Sequence, residues 1–367
     1  MRIGVPRETA ARERRVALVP EAAARLGKAG HEVGIERGAG AEAGFPDAQY
    51  QAVGARLFED AASLYGRSEL VLKVQRPGLD EVGLMAAGTT LVCLLAPASG
   101  AEILAALAAR GVTALAMELV PRITRAQPMD ALSSQANLAG YKAVIIGAEA
   151  LNRVLPMMTT AAGTLVPARC FVLGAGVAGL QAIATARRLG AVVSAFDVRP
   201  VVKEQVQSLG ASFVEVAVAA EGAGGYATEL AADQQRRVLE AIGRHVPSQD
   251  LVICTAQIPG RPAPRLLTAE MVRSMKPGSV VVDLAAETGG NCELTRPGED
   301  VAVGGVHVLG PLNVPSSVAF HASQTYSRNL VSLLGQLLGE GGRPRLDLAD
   351  EITGPMVVTH AGEIRRR

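Results

Sequence analysis

The sequence predicts an α/β protein made of two Rossmann-like, doubly wound domains with a cleft between them. Short runs rich in β-branched and aliphatic residues alternate with Ala-rich amphipathic stretches along most of the chain, which is the rhythm of βαβ units and therefore of parallel sheets. Near residue 170 a strand-like run enters a glycine turn and then a helix. The length of 367 residues, 49% of them hydrophobic, exceeds what one core organises and points to two.

In the first domain, residues 1–130, strands are expected at 3–5, 32–35, 70–74, 91–95 and 113–117. Pro20 marks the first turn of the first helix, where the missing N–H has no helical partner to lose. A helix-compatible segment from 129 to 151 leads to Pro156 and the small, polar stretch 159–163, read as a crossing into the second domain, 131–317. There the strands are expected at 170–173, 192–196, 212–216, 251–255, 280–284 and 307–309. One long helix over 317–338 carries the chain back, so that residues 318–367 complete the first domain and the closing stretch packs on it as a tail.

Composition excludes several classes of function. Lys plus Arg number 36 against 35 Asp plus Glu, so no net field draws the protein to nucleic acid or an anionic membrane. Every long apolar stretch is broken by charge or turn residues, as by Glu102 and Arg110 or by Pro167 and Arg169, and no transmembrane helix is expected. Met1 and Arg2 run straight into a strand without the apolar core of a signal peptide, which points to the cytoplasm. Cys93, Cys170, Cys254 and Cys292 are far apart in apolar runs and read as buried thiols, and the five histidines are scattered, so no metal is expected.

The phosphate-binding signal is Cys-Phe-Val-Leu-Gly174-Ala-Gly176-Val177-Ala178-Gly179-Leu-Gln. Gly174 permits the tight turn, Gly176 lets backbone amides approach a pyrophosphate, and Gly179 lets helix and strand pack closely, while the helix N-terminus supplies a positive field. A glycine triplet alone is weak in a chain with 40 glycines; its context strengthens it. Asp197 ends the next strand, where a carboxylate accepts both ribose hydroxyls and repels a 2′-phosphate, which favours NAD over NADP. Arg199, two residues on, is open to the opposite reading as a 2′-phosphate ligand, and a cofactor-free doubly wound domain is the plainer alternative. The stretch Gly38-Ala-Gly40-Ala-Glu-Ala-Gly44 has its last glycine one residue late and Phe45-Pro46 at the helix start, so it reads as an ordinary loop.

A second polar segment, Arg122-Ile-Thr-Arg125-Ala-Gln127-Pro-Met-Asp130-Ala-Leu-Ser133-Ser134-Gln135, follows a strand and gathers cationic, amide, carboxylate and hydroxyl groups. Such a loop can converge on a ligand, an amide and a carboxylate gripping a nicotinamide carboxamide while arginine faces phosphate. The plainer alternative is that Asp130 or Ser133 caps the helix that follows.

At this loop the chain resembles the NAD(H)-binding subunit of the proton-translocating, Si/Re-specific NAD(P) transhydrogenases. The resemblance rests on residues 121–143, on 174–190 continuing through Asp197-Val198-Arg199-Pro200 and Lys203-Glu-Gln-Val206, on Gly224-Gly225-Tyr226-Ala, on Ile-Pro-Gly-Arg-Pro-Ala-Pro at 258–264, on Glu287-Thr-Gly-Gly-Asn-Cys-Glu-Leu294, and on Ala322-Ser-Gln-Thr-Tyr-Ser-Arg-Asn-Leu330. It covers essentially the whole chain. It implies that Arg122, Gln127, Asp130 and Ser133 contact NAD(H), with Gln127, Asp130 and Arg122 orienting the nicotinamide for reaction, and that Val177, Ala178, Asp197, Val198 and Arg199 line the adenosine side. It further implies a mobile loop carrying Gly225 and Tyr226 that closes over the nucleotide. Two departures stand out: Gln257 where leucine is expected before Ile-Pro-Gly, and an approach to the lid, 214–224, that is shorter than usual.

The same architecture belongs to alanine dehydrogenase, whose carboxylate-binding positions are matched by Arg15 and Lys73. Amino-acid oxidation must also move protons, which requires an acid/base residue beside the reacting carbon. In that family a histidine follows the fourth strand. Here residues 91–98 read Leu-Val-Cys-Leu-Leu-Ala-Pro-Ala, no histidine stands between His31 and His245, and the alanine dehydrogenase aspartate is matched by Glu287. Direct hydride transfer between two nicotinamides leaves no proton to manage.

The expectation is therefore a subunit that binds NADH and passes hydride to NADP+ held by a partner β subunit, coupled to proton movement through membrane parts. The resemblance implies a small membrane alpha-2 subunit as a further partner, a homodimer, and a cytoplasmic, peripheral location on the inner membrane. A free-standing amino-acid dehydrogenase and a non-catalytic NAD-binding regulator are the competing readings. Asp197→Ala is expected to relax the preference for NADH over NADPH in equilibrium binding. Gln127→Ala is expected to slow hydride transfer more than it weakens NADH binding, and equal loss of both would deny Gln127 an orienting role.

Overall fold

Parallel strands buried on both faces organise the molecule, a computed structural model that describes residues 1–216, 231–258, 260–338 and 346–366. The chain divides into two units, Met1–Gln135 with Pro315–Arg367, and Ala136–Val314.

Among the described residues the first unit carries an eight-stranded sheet. Its order is Glu363–Ile364, Val357–His360, Thr113–Ala116, Thr90–Leu94, Leu70–Gln75, Arg2–Val5, Glu32–Glu36 and Arg56–Phe58. The strands from Arg56–Phe58 to Thr113–Ala116 are all parallel to their neighbours, in the order third, second, first, fourth, fifth, sixth along the chain. This is the dinucleotide-fold order, with its reversal between Arg2–Val5 and Leu70–Gln75. Leu70–Gln75 is buried at every position but the last, so Lys73 in its middle is 1% exposed and must be paired. Its amine lies 2.7 Å from Glu81 and 3.4 Å from Glu8.

The closing stretch is more than a packed tail. Val357–His360 joins the sheet antiparallel to Thr113–Ala116, and Glu363–Ile364 pairs with it in turn. Short edge strands such as these and Arg56–Phe58 carry too few residues to show a period, which is why the sequence pattern does not announce them. Helix Ala319–Leu337 returns the chain and is stitched to the extended segment before Pro20. Ser323 and Ser327, one turn apart on one face, accept hydrogen bonds from the backbone N–H groups of Val16 and Val19 at 3.0 and 3.2 Å. Beside them the buried Arg15 donates a two-pronged pair of bonds to Glu13, at 2.7 and 2.6 Å, and a third to Gln135 at 2.8 Å.

Among the described residues the second unit carries a seven-stranded sheet in the order Ser212–Phe213, Val192–Phe196, Arg169–Leu173, Leu251–Cys254, Val280–Asp283, Val306–Leu309, Asp300–Val303. All neighbours are parallel except the last pair. The order reverses between Arg169–Leu173 and Leu251–Cys254. Alternate residues serve opposite faces: Cys170 and Val172 pack with Ala143, Val144, Ala182 and Ile183, while Phe171 and Leu173 pack with Val238, Ile242 and Val272. The stretch expected as a bare crossing is an exposed hairpin, Met158–Thr160 with Gly163–Leu165, and Asp300–Val303 is an edge strand absent from the expectation. All four cysteines are buried and unpaired, and burial pushes Cys170 up to about 12 and Cys292 up to about 11, out of reach of ordinary thiolate chemistry.

The Glu13 and Arg15 pair gives the first unit a measurable acid sensitivity. Burial alone raises the Glu13 carboxyl, but the hydrogen bonds and charge of Arg15, with a bond from Gln75, overcome it and hold the carboxyl at about 2, below its ordinary 4.5. A carboxyl depressed in this way contributes stability that is complete above pH 4.5 and is lost as pH falls toward 2. Glu13→Gln is expected to lower unfolding free energy at pH 7 by about 3 kcal/mol. Urea titrations across that window should show the variant losing less stability with acid than the parent; parallel losses would mean the pair is not the acid-sensitive element.

Candidate nucleotide-binding site

The glycine turn sits at the strand-order reversal of the second unit, where a doubly wound sheet opens a crevice beyond the carboxyl ends of its strands. Strand Arg169–Leu173 ends at Gly174, whose φ of +94° lies in the left-handed region that side-chain-bearing residues avoid. Helix Val177–Arg188 begins after Gly176, which offers no side-chain cap to the first amides of the helix. A Cβ on Gly179 would stand 1.9 Å from the Gly174 carbonyl oxygen, so only glycine lets the helix lie this close to the turn. From across the reversal, the Thr255 hydroxyl lies 3.0 Å from the Gly174 carbonyl and 3.2 Å from that of Leu173, pinning the turn to the neighbouring strand.

Asp197, at the end of strand Val192–Phe196, joins this turn directly. Its Oδ2 accepts the Ala175 N–H at 2.7 Å and its Oδ1 accepts the Arg199 N–H at 2.9 Å. The Arg199 guanidinium then forks onto the same carboxylate, Nε to Oδ1 and Nη2 to Oδ2, both at 2.9 Å. Arg199 is thus an ion-pair partner of Asp197 here. Val177 is exposed at the start of the helix, and Ala178 and Val198 are half-buried.

The support beneath the turn is what sequence reasoning missed. Asn291, fully buried, accepts from the Ala256 N–H at 3.0 Å and donates to the carbonyls of Ala256 and Pro264, each at 2.8 Å, so one amide holds the loop after Leu251–Cys254. Gln257, the departure from leucine, does not pack but donates to the Leu284 carbonyl at 2.9 Å. Gly140 lets helix Ala131–Ala150 meet the start of helix Val177–Arg188, since a Cβ there would stand 2.0 Å from the Ala178 carbonyl oxygen. Both Asn291 and Gly140 lie inside segments that carry the family resemblance, the one signal in the sequence that could have found them. Gly225 and Tyr226, with most of the lid approach, fall outside the described residues.

In the first unit the polar loop forms a 3-10 turn, Thr124–Met129, that buries Ala126 and Met129 and leaves Arg122, Arg125 and Gln127 exposed. Asn329 fixes it, donating to the Pro128 carbonyl at 2.8 Å and accepting from Ser134 at 2.7 Å. Arg125 pairs with Glu351. Asp130 takes up the plainer, capping role, accepting the Ser133 N–H at 2.9 Å and its hydroxyl at 2.6 Å. Gln135 is buried against Arg15, Ala322 and Thr325, a structural tie.

Where an acid/base histidine would follow the strand Thr90–Leu94, the chain places Leu95 and Ala96, the latter at a left-handed φ of 47°. Their backbone N–H groups are both accepted by Glu118, whose carboxyl burial raises above its ordinary value. Among the described residues no group of three His, Cys, Asp or Glu is arranged to hold a metal ion, and no helix is long and apolar enough to cross a membrane.

Comparison with known proteins bears on both units. Residues 4–139 match the family model "Alanine dehydrogenase/PNT, N-terminal domain" and residues 143–367 match "Alanine dehydrogenase/PNT, C-terminal domain". The chain is 48% identical to the first part of the NAD(P) transhydrogenase alpha subunit of Rhodospirillum rubrum, over 99% of this chain and 97% of that protein. It is 32% identical to alanine dehydrogenase of Halomonas elongata, over 100% and 95% of the two. The crystal structure of transhydrogenase from Sinorhizobium meliloti superposes with a TM-score of 0.91 at 47% identity, covering 99% of this chain and 100% of that one.

Two glycines of the turn separate folding from ligand binding. Gly179→Ala forces Cβ into the Gly174 carbonyl and is expected to cost about 2–4 kcal/mol of stability. Among the described residues, chain neighbours aside, a Cβ on Gly176 meets nothing nearer than Arg199 Nη2 at 4.0 Å, so Gly176→Ala is expected to melt like the parent yet bind NADH at least about tenfold more weakly. Calorimetric melting with NADH titration checks both; unchanged NADH binding by Gly176→Ala would remove the turn from the nucleotide site.

Proposed function

The chain belongs to the alanine dehydrogenase/PNT family, and on that premise we propose that it is the NAD(H)-binding subunit of a proton-translocating NAD(P) transhydrogenase. It passes hydride directly between NADH and NADP+ held by a partner β subunit. The observation that carries this reading is the pairing of an intact dinucleotide turn with Leu95 and Ala96 where an amino-acid dehydrogenase keeps its acid/base histidine. Oxidising an amine to a carbonyl releases protons that a side chain must take up. Hydride moving from one nicotinamide to another requires only that the two rings be held close and aligned.

In this reading NAD(H) places its adenosine side against Val177, Ala178, Asp197, Val198 and Arg199 and its pyrophosphate over the turn of Gly174, Gly176 and Gly179. Arg122, Gln127, Asp130 and Ser133 position the nicotinamide, with Gly225 and Tyr226 closing over the nucleotide. The exposure of Gln127 supports its availability to a ligand. NADP(H) belongs to the partner subunit, and proton translocation to membrane subunits, among them a small alpha-2 subunit, on which this subunit sits peripherally. The Rhodospirillum rubrum relative is named as one portion of an alpha subunit, which supports such a division.

Self-association as a homodimer is supported by the hairpin Met158–Thr160 with Gly163–Leu165. Flanking Met157 and Val166 are 66% and 79% exposed, and a two-stranded ribbon showing large apolar side chains gains stability chiefly by packing against a partner.

The purified chain mixed with NADH and an NADP-loaded β-subunit domain is expected to reduce NADP+, and to show no activity with NAD and L-alanine alone. Oxidation of alanine by the chain alone would overturn the proposal in favour of an amino-acid dehydrogenase. Tight NADH binding with neither activity would favour a regulatory module.

A further inference from the structure

We infer that the Arg199 guanidinium is an internal stand-in for the adenosine ribose, occupying the two acceptor positions on Asp197 that a vicinal diol needs and swinging off the carboxylate when NAD(H) binds. The inference rests on the NAD(H) reading above and adds to it a residue that sets both affinity and nucleotide choice.

A carboxylate offers about four acceptor positions, two on each oxygen. On Asp197 the described residues fill that number. Oδ1 accepts from the Arg199 N–H and Nε, and Oδ2 from the Ala175 N–H and Arg199 Nη2. The two backbone donors belong to the turn and to the chain just after Asp197, so they stay in place whenever the local fold does. The guanidinium supplies the other two, one per oxygen, with the spacing of a planar fork. The 2′- and 3′-hydroxyls of a ribose present the same pattern, two adjacent donors for two oxygens of one carboxylate. Fork and diol therefore compete for the same positions.

The place of the guanidinium supports exchange. Among the described residues, chain neighbours aside, Arg199 Nη2 is the nearest heavy atom to where a Gly176 side chain would stand, 4.0 Å away, so the group lies over the second glycine of the turn, on the side a dinucleotide must approach. The Asp197 side chain is 7% exposed and that of Arg199 15%, so a carboxylate stripped of the fork and given nothing in return would be left short of partners in a largely dry setting. Exchanging one two-pronged donor for another avoids that state. It also lowers the apparent affinity for NAD(H) by the fraction of molecules in which the fork is open. The displaced guanidinium remains tethered two residues from Asp197, beside the 2′-position, where it offsets part of the repulsion that the carboxylate alone would exert on a 2′-phosphate.

The test uses the full chain and four probes: NADH and NADPH by nicotinamide fluorescence, adenosine and 2′-deoxyadenosine by displacement of NADH. Adenosine carries the diol without the phosphates, so its binding reports the exchange free of charge effects on the pyrophosphate. Arg199→Met, which keeps an unbranched stem but removes the fork, is expected to bind adenosine about fivefold more tightly than the parent, equivalent to about 1 kcal/mol. For 2′-deoxyadenosine, with one hydroxyl to place, the gain should stay below about twofold. The NADPH to NADH ratio of dissociation constants should rise in the same variant. Arg199→Lys, a single-point donor that keeps the charge, should fall between the two and serves as the test should the methionine variant fail to fold. Adenosine binding that is unchanged or weaker in these folded variants would overturn the inference. Failure of the parent chain to bind NADH, measured first, would instead overturn the NAD(H) reading.

Discussion

The approach of Gly179 to the Gly174 carbonyl, closer than any side chain allows, is the constraint on which the second unit depends. It sets the height of helix Val177–Arg188 above the sheet, and with it the direction in which the first amides of that helix point. Thr255 from the neighbouring strand and Asn291 beneath the following loop hold the same few residues from the other side of the reversal. Asp197 closes the arrangement through the Ala175 N–H. The result is a turn braced by three elements far apart in sequence, with its open side left to whatever can meet backbone donors and one carboxylate.

The first unit shares the third-second-first-fourth-fifth strand order and puts its reversal to a different use. Its first strand runs into Pro6, Arg7 and Glu8 in place of a glycine turn, and Glu8 accepts the N–H groups of Val74 and Gln75 at the end of the adjoining strand. Those donors are the kind a phosphate would seek, and a carboxylate already holds them. Around it Lys73, Glu81 and Tyr65 form a buried polar set, with Lys73 and Tyr65 each 2.7 Å from Glu81. Desolvation raises the Glu8 carboxyl while Lys73 opposes the rise, so the cluster is settled by internal pairing. One topology thus yields two crevices of opposite character, one lined by amides and the other filled by carboxylates and their partners.

Periodicity made the interior strands legible, because a parallel strand covered on both faces is apolar along nearly all its length, as Leu251–Cys254 is throughout and Val280–Asp283 is up to its last residue. The edges were not legible. Arg56–Phe58 and Glu363–Ile364 are held by pairing to a neighbour, and nothing in two or three residues announces that neighbour. The hairpin Met158–Thr160 with Gly163–Leu165 reads in sequence as a polar crossing for the same reason. At the site, the glycines and Asp197 stood out because backbone conformation and charge restrict those positions to few residue types. Asn291, Thr255 and Asn329 act through partners many residues away, and an asparagine that ties a loop looks, in sequence, like any other.

Sequence alone determined the fold class, the glycine turn with its acidic partner, and the absence of a histidine after the strand Thr90–Leu94, since each depends on residue types at short spacing. Only the tertiary structure decided that Arg199 forks onto Asp197, that Asp130 caps its own helix, and that Gln135 is spent on Arg15. A side chain's hydrogen-bonding capacity is written in its chemistry, but which acceptor it meets is set by where folding brings the chain together.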